Sequence, residues 1–218
     1  MKNIRIWFKK TDTAKYISHL DLSRCMTRAI HKAKLPFWYT EGFNPHVFLT
    51  ITMPISLGYT GLRESMDVRL LDDDYPFEDI ISKLNQGLPK DVQCYEVTEI
   101  VMKPSEVNYS EYVVGIECED SEKMKNEFLE ILSRDEVLTE KKTKKGIKEI
   151  DIKPEFQNID FDSSDKNKLS IHMILLSSNN GSINPKLLFD VYMKDYSKEI
   201  FPEVTRINCY DKNMKEFL

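Results

Sequence analysis

Two short segments within the first 46 residues carry most of the side chains that could do chemistry. Residues 16–24 read Tyr-Ile-Ser-His-Leu-Asp-Leu-Ser-Arg, and residues 41–46 read Glu-Gly-Phe-Asn-Pro-His. His19 is predicted at the start of a helix, where free backbone N–H groups and the helix dipole favour an anion. If the second segment lies near that helix start, backbone amides, His19, His46 and Arg24 could bind a phosphate or a carboxylate together.

The two segments therefore predict one recognition pocket. Its shape would be set by His19, Asp21, Glu41, Gly42, Pro45 and His46. Arg24 and Arg28 would contact phosphate, with Asn44 beside them, and the ring of Phe43 or Trp38 would stack on a base. A purely structural interpretation stays open for each residue taken alone, with His19 and Asp21 as helix caps, Asn44 and Pro45 as turn formers and Phe43 as a core residue.

The chain lacks the common catalytic signatures. It contains no Gly-x-Ser-x-Gly elbow, phosphate-binding Gly-x-x-x-x-Gly-Lys loop, Gly-x-Gly-x-x-Gly run or His-Glu-x-x-His pair. Cleavage of RNA assisted by histidine leaves no compact motif, so His19 and His46 stay open as proton donors or acceptors near neutral pH. His19 and Asp21 are two positions apart and cannot share a helix face, so we expect no metal site there. The missing motifs likewise lead us to expect no cofactor.

The charge is unevenly distributed. The 218 residues carry a net charge of −5, yet the chain through Arg63 holds ten Lys/Arg and three Asp/Glu. A second basic cluster, predicted on a hairpin, contains Lys141, Lys142, Lys144, Lys145 and Lys148. Local basic patches on an acidic protein are typical of a docking site for a polyanion such as RNA, although solvated lysines or a protected sheet edge would give the same pattern.

The periodicity predicts an α+β protein made of two ferredoxin-like halves, in which helices pack on one face of an antiparallel sheet. In the first half, Ser18 caps a helix that runs to about Lys34, and the strand–helix–strand–strand–helix–strand order ends near Val101. The order repeats after residue 105, with a helix over Ser121–Ser133 capped by Ser121. We predict domains at 1–104, with the histidine-lined pocket, and at 105–218, with the basic hairpin and a mobile polar excursion at 155–168.

Residues 16–24, 28–36 and 41–46 resemble the radical SAM-linked protein family, and Lys144–Pro154 resembles a further segment of it. Members of that family are uncharacterised chains that stand beside, or are fused to, a cobalamin-binding radical SAM protein. The chain has no Cys-x-x-x-Cys-x-x-Cys run, since Cys25, Cys94, Cys118 and Cys209 are far apart. The resemblance thus implies a radical SAM protein as partner and assigns no reaction to this chain.

Together these observations predict a non-catalytic RNA-binding companion of a radical SAM enzyme that acts on transfer or ribosomal RNA. The short apolar runs and the polar N-terminus predict a cytoplasmic protein without a membrane span, and no DNA partner is expected. Two alternatives stay open. One is an RNA-processing or RNA-modifying enzyme that uses His19 and His46, and the other is an assembly module that binds only protein.

Overall fold

The chain folds into two compact units, each built from helices on an antiparallel sheet. The computed structural model describes residues 1–143, 146–178 and 181–218. The first unit comprises Met1–Glu106 together with Phe217–Leu218, and the second comprises Val107–Glu216. Within this described part of the chain, no helix is long and apolar enough to cross a bilayer.

The first unit has the ferredoxin-like order predicted from the sequence. Its elements are β1 (Lys2–Lys10), α1 (His19–Ala33), β2 (Leu49–Thr52), β3 (Thr60–Leu70), α2 (Phe77–Asn85) and β4 (Val92–Glu99). The strands lie in the order β4-β1-β3-β2, and each pairing is antiparallel. Alternate residues of β1, Ile4, Ile6 and Phe8, pack against the helices and are fully buried, as the period of two predicts.

The second unit repeats this order around an inserted hairpin. Its elements are β5 (Tyr109–Glu117), α3 (Ser121–Ser133), β6 (Leu138–Thr143), β7 (Gly146–Asp151), β8 (Ile159–Asp165), β9 (Lys168–Ser178), β10 (Gly181–Ser182), α4 (Lys186–Tyr196) and β11 (Glu203–Tyr210). The sheet runs β11-β5-β9-β8, with β10 beside the end of β9, and β6 pairs with β7. The α+β class and the ferredoxin-like halves are confirmed.

The polar stretch 155–168 is ordered, which corrects the prediction of a mobile excursion. It contains the end of a 3-10 turn and the whole of β8, which pairs with β9. Phe156 is buried, and the ring of Phe161 stacks on Phe128 with centroids 5.9 Å apart. The sequence signal is weak because the outward positions of β8 are Asp and Ser, which dilute its inward apolar residues.

Two local predictions also need correction. Asp120, not Ser121, caps α3, since its Oδ1 accepts the Lys123 N–H at 3.0 Å. Ser121 is buried and its hydroxyl donates to the carbonyl of Ser163 at 3.1 Å. The aromatic residues Phe37–Tyr39 also predict a short strand, but this segment forms only isolated bridges, from Phe37 to Leu70 and from Tyr39 to Val47.

A buried ion pair crosses the sheet of the first unit on the face opposite the helices. The Arg5 side chain has no exposed surface, and its Nε and Nη2 donate to the two carboxylate oxygens of Asp67 at 2.7 and 2.8 Å. Its Nη1 donates to a main-chain oxygen of Leu218 at 2.7 Å, and Nη2 also donates to the carbonyl of Met102 at 2.9 Å. The ring of Phe217 lies 4.1 Å from the guanidinium carbon. Arg5 therefore joins β1, β3 and the last two residues of the first unit.

We expect Asp67→Ala to destabilise the protein by about 3–5 kcal/mol, because it leaves the buried Arg5 charge without its counter-ion. The double variant Arg5→Met/Asp67→Leu removes both charges and should recover most of that loss. Urea unfolding followed by circular dichroism measures both. A loss below about 1 kcal/mol for Asp67→Ala would show that the pair is not the constraint described here.

Candidate functional site

The start of α1 is fixed by a local hydrogen-bond cycle. The Ser18 hydroxyl accepts the Asp21 N–H at 3.1 Å and donates to Asp21 Oδ2 at 2.7 Å, as the capping prediction requires. His19 is the first helical residue and is exposed. No hydrogen bond or ion pair in the described ranges engages its imidazole.

The outer face of α1 is cationic and exposed. Arg24, Arg28, His31 and Lys32 are all exposed, whereas the apolar positions of the helix face the core. Arg24 Nη1 lies 3.4 Å from Asp21 Oδ1, which neutralises part of its charge. Arg28 makes no hydrogen bond or ion pair with any residue that the structure describes. This face therefore offers an uncompensated guanidinium to an anion.

A cavity of about 420 Å³ opens beside the two arginines. It is lined by Asp21, Arg24, Cys25 and Arg28 of α1 and by Gly87, Leu88 and Pro89 of the α2–β4 connection. This connection approaches α1 closely because residue 87 is glycine, since a Cβ there would lie 3.2 Å from the Ala29 Cα. The cavity is large enough for a phosphate group together with its bound waters.

The pKa of the Cys25 thiol is affected by the charge of Arg28 beside this cavity. Burial raises the pKa of the Cys25 thiol above its ordinary value, and the positive charge of Arg28 acts in the opposite direction. Arg28 thus lies near enough to stabilise a negative charge at the cavity wall. The same guanidinium would stabilise the negative charge of any anion bound in this cavity.

The segment 41–46 is an exposed loop held by its own ends. The Thr40 N–H donates to the His46 carbonyl at 2.8 Å, and the His46 N–H donates to Thr40 Oγ1 at 3.2 Å. Gly42 has φ +130°, a conformation that favours glycine. Phe43 is fully exposed at the tip, so its alternative role as a core residue does not apply.

The His46 ring has a defined orientation within this loop. Its Nδ1 lies 3.1 Å from the Asn44 carbonyl oxygen and 3.0 Å from Thr40 Oγ1. Because a carbonyl oxygen only accepts, the first contact requires the proton on Nδ1, which leaves Nε2 as the basic nitrogen of the neutral ring. Exposed Nε2 can accept a hydrogen bond from a ligand.

The structure brings some of the predicted pocket residues together and leaves others apart. Asp21, Arg24 and Arg28 share one cavity, and Glu41 to His46 share one loop. The loop follows the end of α1, and the Tyr39 hydroxyl contacts His31 Nδ1 at 3.3 Å. His31 lies about 18 Å along the helix from His19. No hydrogen bond, ion pair or ring contact in the described part of the chain joins His19 to this loop.

The basic hairpin is β6–β7. Lys141 and Lys148 are directly opposite each other, so both side chains emerge from one face of the hairpin. Lys148 is exposed, while Lys141 Nζ donates to the Ser182 carbonyl at 2.6 Å. Glu140 and Glu149 form the neighbouring cross-strand pair on the other face. Lys144, Lys145 and the side chain of Lys142 lie outside the described residues.

Two clusters were not found from the sequence. In the first unit, Trp38, Phe48 and Arg69 pack together at the sheet edge. In the second unit, Glu111 accepts hydrogen bonds from His172 Nε2 at 2.6 Å and from the Tyr210 hydroxyl at 2.5 Å. Burial, and then the hydrogen bond to Glu111, raises the pKa of Tyr210 to about 12. Both clusters depend on strand pairing, although their aromatic and charged residues do stand at outward strand positions.

No group of three or more His, Cys, Asp or Glu side chains within ranges 1–143, 146–178 and 181–218 is arranged to hold a metal ion. Cys25, Cys94, Cys118 and Cys209 are not joined in disulfides, and Cys94 and Cys209 are buried. Burial raises the pKa of Cys94 to about 12.

The fold and the site define an α+β protein of two ferredoxin-like units, the first of which presents an exposed cationic helix. The chain belongs to the family described as "Uncharacterized protein conserved in bacteria (DUF2344)", whose model matches residues 3–185. That range includes α1, the exposed loop and the hairpin. No curated protein matches the chain.

Two solved structures align with most of the chain. One is "Crystal Structure of an Unknown Protein from Galdieria sulphuraria", with 10% identity, a TM-score of 0.27 and coverage of 94% of this chain and 98% of that one. The other is a putative glycine cleavage system transcriptional repressor, with 10% identity, a TM-score of 0.24 and the same coverage. Neither name, nor the family description, mentions radical SAM proteins. The fold assignment rests on the strand order of the chain itself.

We expect Arg28→Gln to raise the pKa of the Cys25 thiol further, because it removes the positive charge that stabilises the thiolate. Alkylation of Cys25 at a fixed pH near 8 should therefore slow, and Arg28→Lys should restore the rate. A Cys118→Ser background leaves Cys25 as the accessible thiol, since the other two are buried. An unchanged pH profile in Arg28→Gln would place the guanidinium away from the cavity.

Proposed function

We propose that this protein binds structured RNA, such as transfer or ribosomal RNA, through the cationic face of α1. The observation that carries the proposal is the pair Arg24 and Arg28, exposed beside a cavity, where Asp21 pairs with Arg24 and no described residue pairs with Arg28. A guanidinium can bind phosphate, as it binds carboxylate, with two parallel hydrogen bonds. A helix face of this kind fixes the position of an RNA backbone without reading its bases.

The hairpin β6–β7 is the second proposed phosphate contact. Like charges directly opposite each other on a hairpin are unfavourable, and Lys141 and Lys148 form such a pair. A bound polyanion relieves this repulsion. Lys148, which is exposed, would contribute more than Lys141, whose ammonium group already donates to a carbonyl.

A non-catalytic role accounts better for the two histidines than joint acid–base catalysis does. His19 begins α1, whereas the loop of His46 follows Tyr39, which contacts His31 near the end of α1. A proton donor and acceptor for one reaction must both reach the reacting atoms. His19 would bind phosphate at the helix start, and His46 Nε2 would accept a hydrogen bond from RNA. Glu41, Asn44 and Pro45 would set the shape of the loop.

The salt dependence of RNA binding tests the proposal. For a mixture of bacterial transfer RNA, we expect the affinity to fall steeply with salt, and Arg24→Ala/Arg28→Ala to reduce the slope of log K against log salt by about 2. Fluorescence anisotropy at several salt concentrations measures both. The slope falls because the variant loses two phosphate contacts, each of which releases counter-ions from the RNA.

The matched control is Lys194→Ala/Lys212→Ala, which removes two exposed cations of the second unit outside the proposed interface. Its salt slope should equal that of the unmodified protein. Absence of binding near physiological salt, or equal slopes for both double variants, would contradict the proposal.

We further propose a radical SAM protein as the partner to which the RNA is presented. The support is the resemblance of residues 16–24, 28–36 and 41–46, together with the lack of a cluster-binding cysteine run in this chain. In such a pair the partner would perform the chemistry and this chain would hold the RNA.

We expect the tagged chain to capture a radical SAM protein from its native cells, with capture weakened by nuclease treatment if RNA bridges the two. Mass spectrometry of the captured proteins, with and without nuclease, is the measurement. Retention in high salt after nuclease would instead support a direct protein assembly module, and the absence of any radical SAM protein would remove this partner.

A further inference from the structure

We infer that the edge of the sheet in the first unit binds an unpaired base of single-stranded RNA on a platform formed by Trp38, Phe48 and Arg69. The inference rests on the proposed RNA binding and specifies which kind of RNA this edge accepts. The phosphate contacts of α1 suit any RNA backbone, whereas a stacking platform requires a base that is free of its helix.

The three side chains form a compact cluster. The centroids of the Trp38 and Phe48 rings are 5.7 Å apart at an interplanar angle of 64°. The guanidinium carbon of Arg69 lies 4.9 Å from the Trp38 centroid and 5.5 Å from the Phe48 centroid. The Arg69 Nε donates to Asn3 Oδ1 at 3.2 Å. The platform is thus held in place by contacts of its own before any ligand arrives.

Strand geometry directs the platform away from the core. Phe37 and Val47 are buried in the core of the first unit. Their neighbours Trp38 and Phe48 point to the opposite face, because successive side chains of extended backbone alternate. Phe48 is 43% exposed, and Trp38 is half-buried. Solvent therefore reaches a surface of the cluster on which a base can stack.

The centre of the same sheet face is closed to a base. Trp7 is only 2% exposed, and its ring contacts Phe217 at 6.1 Å and the Arg63 guanidinium at 4.5 Å. Four-stranded sheets that bind RNA stack bases on aromatic residues of the open face. In this unit the outward aromatic residue of the central strand β1, Trp7, is already covered, and we assign that role to the edge platform.

The guanidinium of Arg69 in the platform and the cationic face of α1 favour RNA over an apolar peptide. Tyr39 follows Trp38 and turns to the other side, where its ring lies 5.2 Å from His31 on the cationic face of α1. The loop that begins at Thr40 carries the fully exposed Phe43. A strand of RNA that crosses this edge would place phosphates at α1 and bases at Trp38 and Phe43.

The test compares three labelled probes: a 12-nucleotide single strand, the same strand with abasic sites, and the corresponding duplex. We expect the intact strand to bind more tightly than the abasic one. Trp38→Leu should weaken binding of the intact strand about 5- to 150-fold, the factor for one stacked base, and leave the duplex unchanged. Phe43→Ala should act in the same direction.

The conservative variant Trp38→Phe keeps a ring and should retain strand binding, while the fluorescence quenching caused by a base on Trp38 disappears. Phe201→Leu, which removes an aromatic side chain of 77% exposure from the second unit, is the matched control and should change nothing.

The outcomes separate the two proposals. Equal binding of intact and abasic strands, with no effect of Trp38→Leu but weaker binding of all probes in Arg24→Ala/Arg28→Ala, would overturn the platform and keep the proposed function. Failure of all three probes to bind would overturn both. A uniform loss in Trp38→Leu that Trp38→Phe does not rescue would also overturn the platform.

Discussion

The first unit closes the sheet face opposite its helices by burying the guanidinium of Arg5. A guanidinium without exposed surface is tolerated only when its donors are satisfied, and Arg5 meets this condition with Asp67 and two main-chain oxygens. Arg5 and Asp67 are direct partners in the β1–β3 register, so the ion pair and the strand register stabilise each other. This cluster and Phe217 occupy the centre of the sheet face, and the proposed ligand is assigned to the sheet edge and the outer side of α1.

The features that depend on residues close together in the sequence can be predicted from it. Ser18 and Asp21 specify the start of α1 through a cycle that spans four positions, and the alternation of Ile4, Ile6 and Phe8 specifies β1. The buried ion pair was not readable, since its partners are 62 positions apart and Arg5 occupies a strand position where a surface residue is common. β8 was missed for a related reason: its outward residues are as polar as those of a loop.

The same distinction applies to the candidate site. Exposure of the α1 arginines follows from helical periodicity, and exposure of 41–46 follows from its turn-forming residues. Whether separate segments meet depends on topology instead. The loop connects the end of α1 to β2, so its contact to the helix is at His31. Trp38, Phe48 and Arg69 converge because the Trp38 N–H donates to the Arg69 carbonyl and the Phe48 N–H donates to the Trp38 carbonyl. No local sequence pattern encodes these pairings.

The membership of Phe217 and Leu218 in the first unit affects the order in which the protein can mature on the ribosome. These two residues are translated after the whole of the second unit, yet they supply an acceptor for Arg5 and the ring that covers Trp7. A nascent chain that has released only residues 1–106 would lack the ring that covers Trp7 and the Leu218 acceptor of the Arg5 guanidinium. The contacts of the first unit with these two residues can therefore form only after the second unit has been translated.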